Sequence, residues 1–252
     1  MLERAGVRRA DGRRPPELRR VSIQPGFLPD AEGSALIEMG GTHVICTATV
    51  QEAVPPFLRG RGTGWVTAEY GMLPRSSPER IERERRGPGG RTHEIQRLIG
   101  RSLRAVTHLG ALGERSILVD CDVLRADGGT RCASITGGFV ALALALARLV
   151  REGAIGRLAL TDSVAAVSVG LVDGRPLLDL PYEEDHRAAV DLNLVMTGGG
   201  RFVEVQGTAE RDPFTERQLG KLMDLGRAGI ARLTALQRRT LRAAGVRLPA
   251  AR

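Results

Sequence analysis

Residues 116–151 constrain the fold of this 252-residue chain more than any other stretch. Over 116–124, Ile117, Val119, Cys121 and Val123 fall on one side and Leu118, Asp120, Asp122 and Leu124 on the other. That two-residue period marks a strand. A turn with paired glycines follows, Ala126-Asp127-Gly128-Gly129-Thr130-Arg131. Next comes an Ala/Leu-rich run over about 134–151, apolar nearly all round, and a helix of that kind must be buried. Within the turn, the glycines let backbone approach an anion closely, and a hydroxyl and a guanidinium follow at once. Free amides at a helix start, the helix dipole and an arginine fork all favour a phosphate-like anion. Taken alone, such a turn reads first as one that caps the strand before it. The anion reading gains from its company elsewhere.

Around that unit the chain alternates in type. Residues 1–30 are Arg-rich, with Pro15, Pro16, Pro25 and Pro29, and read as a mostly irregular arm ending in an extended segment. Residues 34–39 and 42–50 read as strands joined by Gly40-Gly41, a hairpin signal, and 65–70 as a further strand. Periodicity vanishes over 71–90, where Arg75, Arg80, Arg83, Arg85 and Arg86 sit among Ser, Pro and Gly. A structureless stretch of that length is usually functional or mobile. A helix is predicted from 92 to about 106, with Ile95, Leu98, Ile99, Leu103 and Val106 on one face and Thr92 as N-cap. After a linker at 153–161 the pattern restarts, with strands at 164–172, 176–180, 190–197 and 201–206 and a closing helix at about 215–244. Both halves run strands first and helices after. The fold class is therefore α+β (mixed α/β) in two lobes, 1–152 and 153–252.

Charge narrows the partner more than the fold. Lys+Arg 37 against Asp+Glu 29 leaves +8, and Lys221 is the sole lysine, so nearly all positive charge is planar guanidinium suited to phosphate. Because Arg and Ala replace Lys and Ile throughout, this favours a nucleic-acid partner without proving one. Aromatic content of 3% argues against a base-stacking sheet, leaving RNA contact mostly to phosphates and sugars. Cys46, Cys121 and Cys132 share no metal-ligand spacing and read as reduced core residues. No apolar signal region follows the charges that begin at Glu3, and the longest apolar run, 138–147, is far shorter than a bilayer span. The expectation is a cytoplasmic protein without a membrane segment.

Three constellations carry candidate chemistry. The first is Gly129-Thr130-Arg131. The second, Gly90-Arg91-Thr92, opens the other amphipathic helix. Two helix starts, each with an arginine and a threonine, can face one another across a cleft and grip one phosphate. The third is Tyr182-Glu183-Glu184-Asp185 together with Asp191, which interrupts an apolar strand and shares a face with Asn193. A carboxylate there is costly unless paired or holding a metal. An oxygen-only pair of Asp185 and Asp191 suits Mg²⁺, provided that 186–189 turns the chain; an acidic turn balancing surplus arginines is the other reading. His43, His93, His108 and His186 form no triad or metal spacing, and no Walker or dinucleotide fingerprint precedes a helix. Asp120 and Asp122 are either catalytic or hydrogen-bonded to the arginine loop. Val54-Pro55-Pro56-Phe57-Leu58 offers an exposed Phe-Leu pair which, with the extended 21–28 arm, suits a neighbouring subunit.

Several longer motifs extend these signals: Arg9-Ala10-Asp11-Gly12-Arg13, Val54-Pro55-Pro56-Phe57-Leu58-Arg59-Gly60, the run 64–75 (Gly64 to Arg75), the run 90–101 (Gly90 to Arg101) and the run 126–137. In this order they resemble the bacterial ribonuclease PH family from about Arg9 to the final helix. The resemblance implies a ribosomal-protein-S5-domain-2-like fold and a homo-hexameric ring built as a trimer of dimers. It implies a phosphate-dependent 3′-exoribonuclease acting on tRNA precursors, in which inorganic phosphate releases nucleoside diphosphates. Arg91, Gly129, Thr130 and Arg131 match the family's phosphate-binding positions. Asp185 and Asp191 match its catalytic, Mg²⁺-associated acidic pair, with Asp191 either a metal ligand or also a proton donor. Arg75, Arg80 and Arg83 fall in the loop that resembles its RNA-entry surface. A non-catalytic RNA-binding ring subunit of an exosome-like assembly is the alternative, disfavoured because both the phosphate turn and the acidic pair are intact.

Overall fold

The computed structural model describes residues 9–84 and 87–250; Arg85, Arg86 and the first residues, including Glu3, lie outside them. The first half forms β1 (Val21–Pro25), β2 (Gly33–Met39), β3 (Thr42–Gln51), β4 (Trp65–Met72), helix α1 (Gly90–Arg104), β5 (Ser116–Arg125) and helix α2 (Thr130–Arg151). The second forms β6 (Val164–Val172), β7 (Arg175–Leu178), the short α3 (Tyr182–Asp185), β8 (Val190–Thr197), β9 (Phe202–Ala209) and α4 (Glu216–Ala243). One sheet runs β1-β2-β3-β5-β4 and the other β7-β6-β8-β9. Pairing is antiparallel except for β4 beside β5. The architecture is a mixed α+β one.

The apolar-all-round sequence of α2 explains its position. It packs on β2 and β3 of one sheet and on β6 of the other, so nearly every side finds a partner. Its length and composition would suffice to cross a membrane, but 78% of its most apolar window is buried inside the protein. Strand β6 lies under both α2 and α4, and all nine of its residues are buried. Such a strand shows a continuous apolar run rather than alternation. Ile155, Ala159 and Leu160, from the stretch read as a linker, join the same core that fills both halves. The three cysteines are free and buried.

Several boundaries differ from the sequence reading, each for a local reason. Helix α2 begins at Thr130 rather than near 134, because the polar residues 130–134 are its first turn at the end of β5. Helix α1 begins at Gly90 with Gly89 in the cap position. Thr92 is not its N-cap; its hydroxyl bonds the Glu84 carboxylate at 2.9 Å instead. Strand β7 stops at Leu178 because Asp179 takes a left-handed backbone with φ 55°. Strand β9 runs on to Ala209, as its pairing with β8 continues to Val190. Of the pair expected to be exposed, only Phe57 is, at 58%, with its ring edge-on to Trp65; Leu58 is buried.

Candidate active site

The turn between β5 and α2 is held in a shape that few sequences allow. Gly128 and Gly129 are both left-handed, with φ of 70° and 67°. A Cβ on Gly128 would stand 2.5 Å from the Leu180 carbonyl oxygen. Only glycine combines that backbone with that proximity. The carbonyls of the turn are tied down from behind. Thr42 donates its hydroxyl to the Gly128 carbonyl at 2.6 Å and accepts from the Asp127 amide at 2.9 Å. Arg19 donates to the carbonyls of Asp127 and Gly128 and is itself fixed by the buried Asp179, Nη2 to Oδ1 at 2.6 Å. Burial alone would raise the Asp179 carboxyl, but Arg19 and Arg13 hold it below its usual range. With the carbonyls engaged, the amides of Gly129, Thr130 and Arg131 have no acceptor among the described residues.

Three long helices differ at their N-termini in an informative way. Helix α4 carries a full capping box, Thr215 with Gln218, which satisfies its first amides. Helices α1 and α2 have glycine caps, no side-chain cap bond and no acidic residue in the first turn. Each instead has arginine as its second residue, Arg91 and Arg131. Positive charge at the positive end of a helix dipole is unfavourable by itself. An anion between the two helix starts reverses that sign. Arg131 is braced by Gln206 Oε1 at 2.5 Å and Glu94 Oε1 at 3.3 Å, whereas Arg91 has no hydrogen bond or ion pair among the described residues. Beneath them the Tyr70 hydroxyl meets Thr130 Oγ1 at 2.9 Å. Burial raises the Tyr70 pKa against the opposing effects of Thr130, Arg91 and Arg131.

The acidic segment is docked on that turn. Asp127 Oδ1 accepts the Tyr182 amide at 3.1 Å, fixing the start of α3, and Glu184 turns inward onto the Arg9 guanidinium, its Nε at 2.9 Å. Glu184 thus does balance an arginine, but Asp185 and Asp191 do not follow it. The turn after α3 brings Asp185 into the same cavity as Asp191 of β8. Asp191 is pushed up to about 6, by burial first and then by Asp185 and Glu210, against Arg131 and Asn193. Asp185 is also raised by burial, despite the pull of Arg91 and Arg131. The Oδ1 of Asp191 is buried without a hydrogen-bond partner. An orphaned oxygen on a pair of carboxylates is what a hard cation would satisfy. No group of three or more His, Cys, Asp or Glu residues suited to a metal occurs among the described residues. Asp185 and Asp191 are the residues that would hold Mg²⁺, a cation that usually keeps several waters and takes only one or two protein carboxylates.

One cavity of about 1390 Å³ collects Arg75, Arg91, Gly129, Thr130, Arg131, Asp185 and Asp191. Arg80 and Arg83 are exposed on the adjoining loop and do not line it. The loop is anchored to the turn by the Ala126 amide, which bonds the Ser76 carbonyl at 2.7 Å. Asp120 and Asp122 are outside the cavity; burial and Glu69 raise both. Neither bonds a loop arginine among the described residues. Arg19, Thr42, Asp179 and Gln206 were not singled out by the sequence. Their partners lie more than 70 positions away, so no local pattern announces them.

Residues 17–147 match the 3′ exoribonuclease family, domain 1, and residues 162–229 match its domain 2. A ribonuclease PH of Moorella thermoacetica is 59% identical over 235 residues, 92% of this chain and 94% of that protein. One of Solibacter usitatus is 56% identical over 232 residues, 91% of this chain and 98% of that protein. Among solved structures, rice (Oryza sativa) Rrp46 superposes with a TM-score of 0.75 at 20% identity, covering 92% of this chain and all of that one. An Archaeoglobus fulgidus exosome with RNA bound to the active site gives 0.75 at 24% identity, covering 90% and 91%. These last two likenesses are of fold.

Proposed function

The chain belongs to the ribonuclease PH family of phosphorolytic 3′ exoribonucleases, and from that premise we propose which residues do what and on which RNA. The observation that carries the assignment is the pair of uncapped helix starts, each with a second-position arginine that lines one cavity together with two carboxylates. Inorganic phosphate occupies the 128–131 turn. The amides of Gly129, Thr130 and Arg131, the Thr130 hydroxyl and the Arg91 and Arg131 guanidinium groups hold it in line with the terminal 3′-phosphodiester. Both reactants are anions, so alignment and charge neutralisation form most of the barrier. Asp185 and Asp191 would hold Mg²⁺, which would supply positive charge to offset that on the scissile phosphate and the departing 3′-oxygen. The proton count closes without a further acid. Phosphate enters as HPO₄²⁻, its oxygen bonds the scissile phosphorus, the bond to the 3′-oxygen breaks, and the phosphate's proton ends on that oxygen. The last nucleotide leaves as a nucleoside diphosphate.

The substrates proposed are 3′ ends of tRNA precursors in the cytoplasm, guided by Arg75, Arg80 and Arg83. The working form proposed is a homo-hexamer, a trimer of dimers. In support, Phe27, Leu28 and Phe57 are exposed large apolar residues, which a neighbouring subunit would cover. The test is a 3′-tailed tRNA incubated with and without phosphate. Shortening should require phosphate and yield nucleoside diphosphates, and added diphosphates should lengthen the RNA. Monophosphates formed in phosphate-free buffer would mean hydrolysis and overturn the reading.

A further inference from the structure

One aromatic pair in the cavity has no part in the chemistry above. Tyr182 is 61% exposed, the most exposed of the large apolar side chains among the described residues, and it lines the cavity together with His186. The two rings stack, with centroids 5.5 Å apart and planes 22° from parallel. His186 is further tied down through Nδ1 to the Tyr182 carbonyl at 3.1 Å. One face of the tyrosine ring is therefore occupied and the side chain is otherwise open. Its backbone is rigidly placed, because the Tyr182 amide is bonded to Asp127 of the phosphate turn. Asp185 lies three residues on in the same helical turn, a spacing that brings side chains within about 5–6 Å of each other at Cβ. An exposed tyrosine among the arginines and carboxylates that line this cavity contributes nothing to charge balance. A flat π-face beside a phosphodiester site has an evident use in stacking a base, and it does so with little regard to sequence because every base has such a face.

Building on the phosphorolytic reading, we propose that Tyr182, backed by His186, is the stacking platform for the nucleobase of the 3′-terminal nucleotide, the one released. The terminal rather than an upstream base is assigned because Tyr182 rises from the segment tied to the phosphate turn. The arginine loop, along which the upstream chain would enter, is a different segment, tied to the turn through Ser76 and Ala126. The platform holds the leaving nucleoside so that its 5′-phosphate stays between the turn and the acidic pair. It makes the enzyme demand a base at the 3′ end without choosing among the four.

The test pairs residue with substrate. RNAs of one sequence, ending either in a normal nucleotide or in an abasic one, are degraded by the wild type, Tyr182→Ala and Tyr182→Phe. The wild type should favour the normal end about tenfold or more in kcat/KM, Tyr182→Phe should keep that preference, and Tyr182→Ala should lose it. The KM for phosphate should stay within about twofold in all three. A second reading uses RNA with 2-aminopurine at the 3′ terminus in phosphate-free buffer, where no turnover occurs. Its fluorescence should be quenched on binding the wild type and Tyr182→Phe, and remain bright with Tyr182→Ala. Wild-type enzyme that ignores the abasic end, or Tyr182→Ala that discriminates and quenches like the wild type, would overturn the platform while leaving phosphorolysis intact. A Tyr182 dependence seen only when the penultimate base is removed would overturn the terminal assignment. Phosphate-independent cleavage of the normal RNA by the wild type would defeat the functional reading itself.

Discussion

On the wall of the cavity formed by residues 126–131, the turn carbonyls and the arginines beside them have partners. Arg19 is matched by Asp179, and the turn carbonyls are taken by Arg19 and Thr42. Arg131 is braced by Gln206 and Glu94. On the wall that carries the acidic pair, Asp191 is pushed upward by burial and by Asp185, Asp185 is raised by burial, and one Asp191 oxygen has no partner. The first wall is preorganised: its donors already point where an anion would sit, at no cost at the moment of reaction. The second is left unsatisfied by the protein and needs a cation or a proton to complete it. The contrast separates two tasks, fixing the nucleophile and stabilising the charge that develops on the leaving side. It also indicates which defects should affect which step.

The largest effect should come from the unsatisfied wall. Asp191→Asn keeps the shape and removes the charge, so single-turnover rates on a 3′-tailed tRNA should fall by about 10³, with RNA affinity kept within a few-fold. A loss below tenfold would mean that the carboxylate is dispensable and the contrast false. A smaller effect is expected from the loop that belongs to neither wall. Replacing Arg75, Arg80 and Arg83 together by alanine should weaken tRNA binding about tenfold at physiological salt. It should also flatten the log–log salt dependence by up to about three, one unit per lost phosphate contact. An unchanged slope would take the loop off the RNA path.

A further effect is on stability, and its sign is diagnostic. Asp191 titrates at about 6 in the fold against its ordinary 3.8. Between those values the native state binds a proton that the unfolded chain does not, so the carboxylate costs stability increasingly as pH rises from about 4 to 6, and fully above 6. Without Mg²⁺, Asp191→Asn should therefore be more stable than the wild type at pH 7.5, on the order of 2 kcal/mol by urea unfolding. The advantage should vanish near pH 4. Destabilisation at pH 7.5 would show that the carboxylate has a partner after all.

The sequence reveals these two walls unequally. Gly128, Gly129, Thr130 and Arg131 are contiguous, and alternation before them and apolarity after them locate the turn at the end of a strand. The buried helix, the hairpin and the second set of strands are equally local signals. The apolar pattern places the start of α2 four residues late because its first turn is polar, and that polarity reflects the open site rather than a loop. Asp191 was visible as a charge in an apolar strand, but its meeting with Asp185 depends on how 186–189 turns. The supports, Arg19 with Asp179 and Thr42 with Gly128, join residues 160 and 86 positions apart. Such pairs exist only once the halves have packed together, and an arginine in a proline-rich arm gives no hint of them. The likeness of longer motifs to a known family reached further than periodicity did, since it linked segments that no local rule connects.

Phosphate binding measured calorimetrically, first in EDTA and then in saturating Mg²⁺, tests most directly whether one wall is complete and the other is not. The preorganised turn should bind phosphate in EDTA with a Kd within about twofold of that in Mg²⁺. Arg131→Ala should weaken it at least tenfold, and Asp191→Asn should leave it unchanged or slightly tighter, since a nearby negative charge is gone. Phosphate that binds only when Mg²⁺ is present, or binding lost in Asp191→Asn as fully as in Arg131→Ala, would contradict the division of labour.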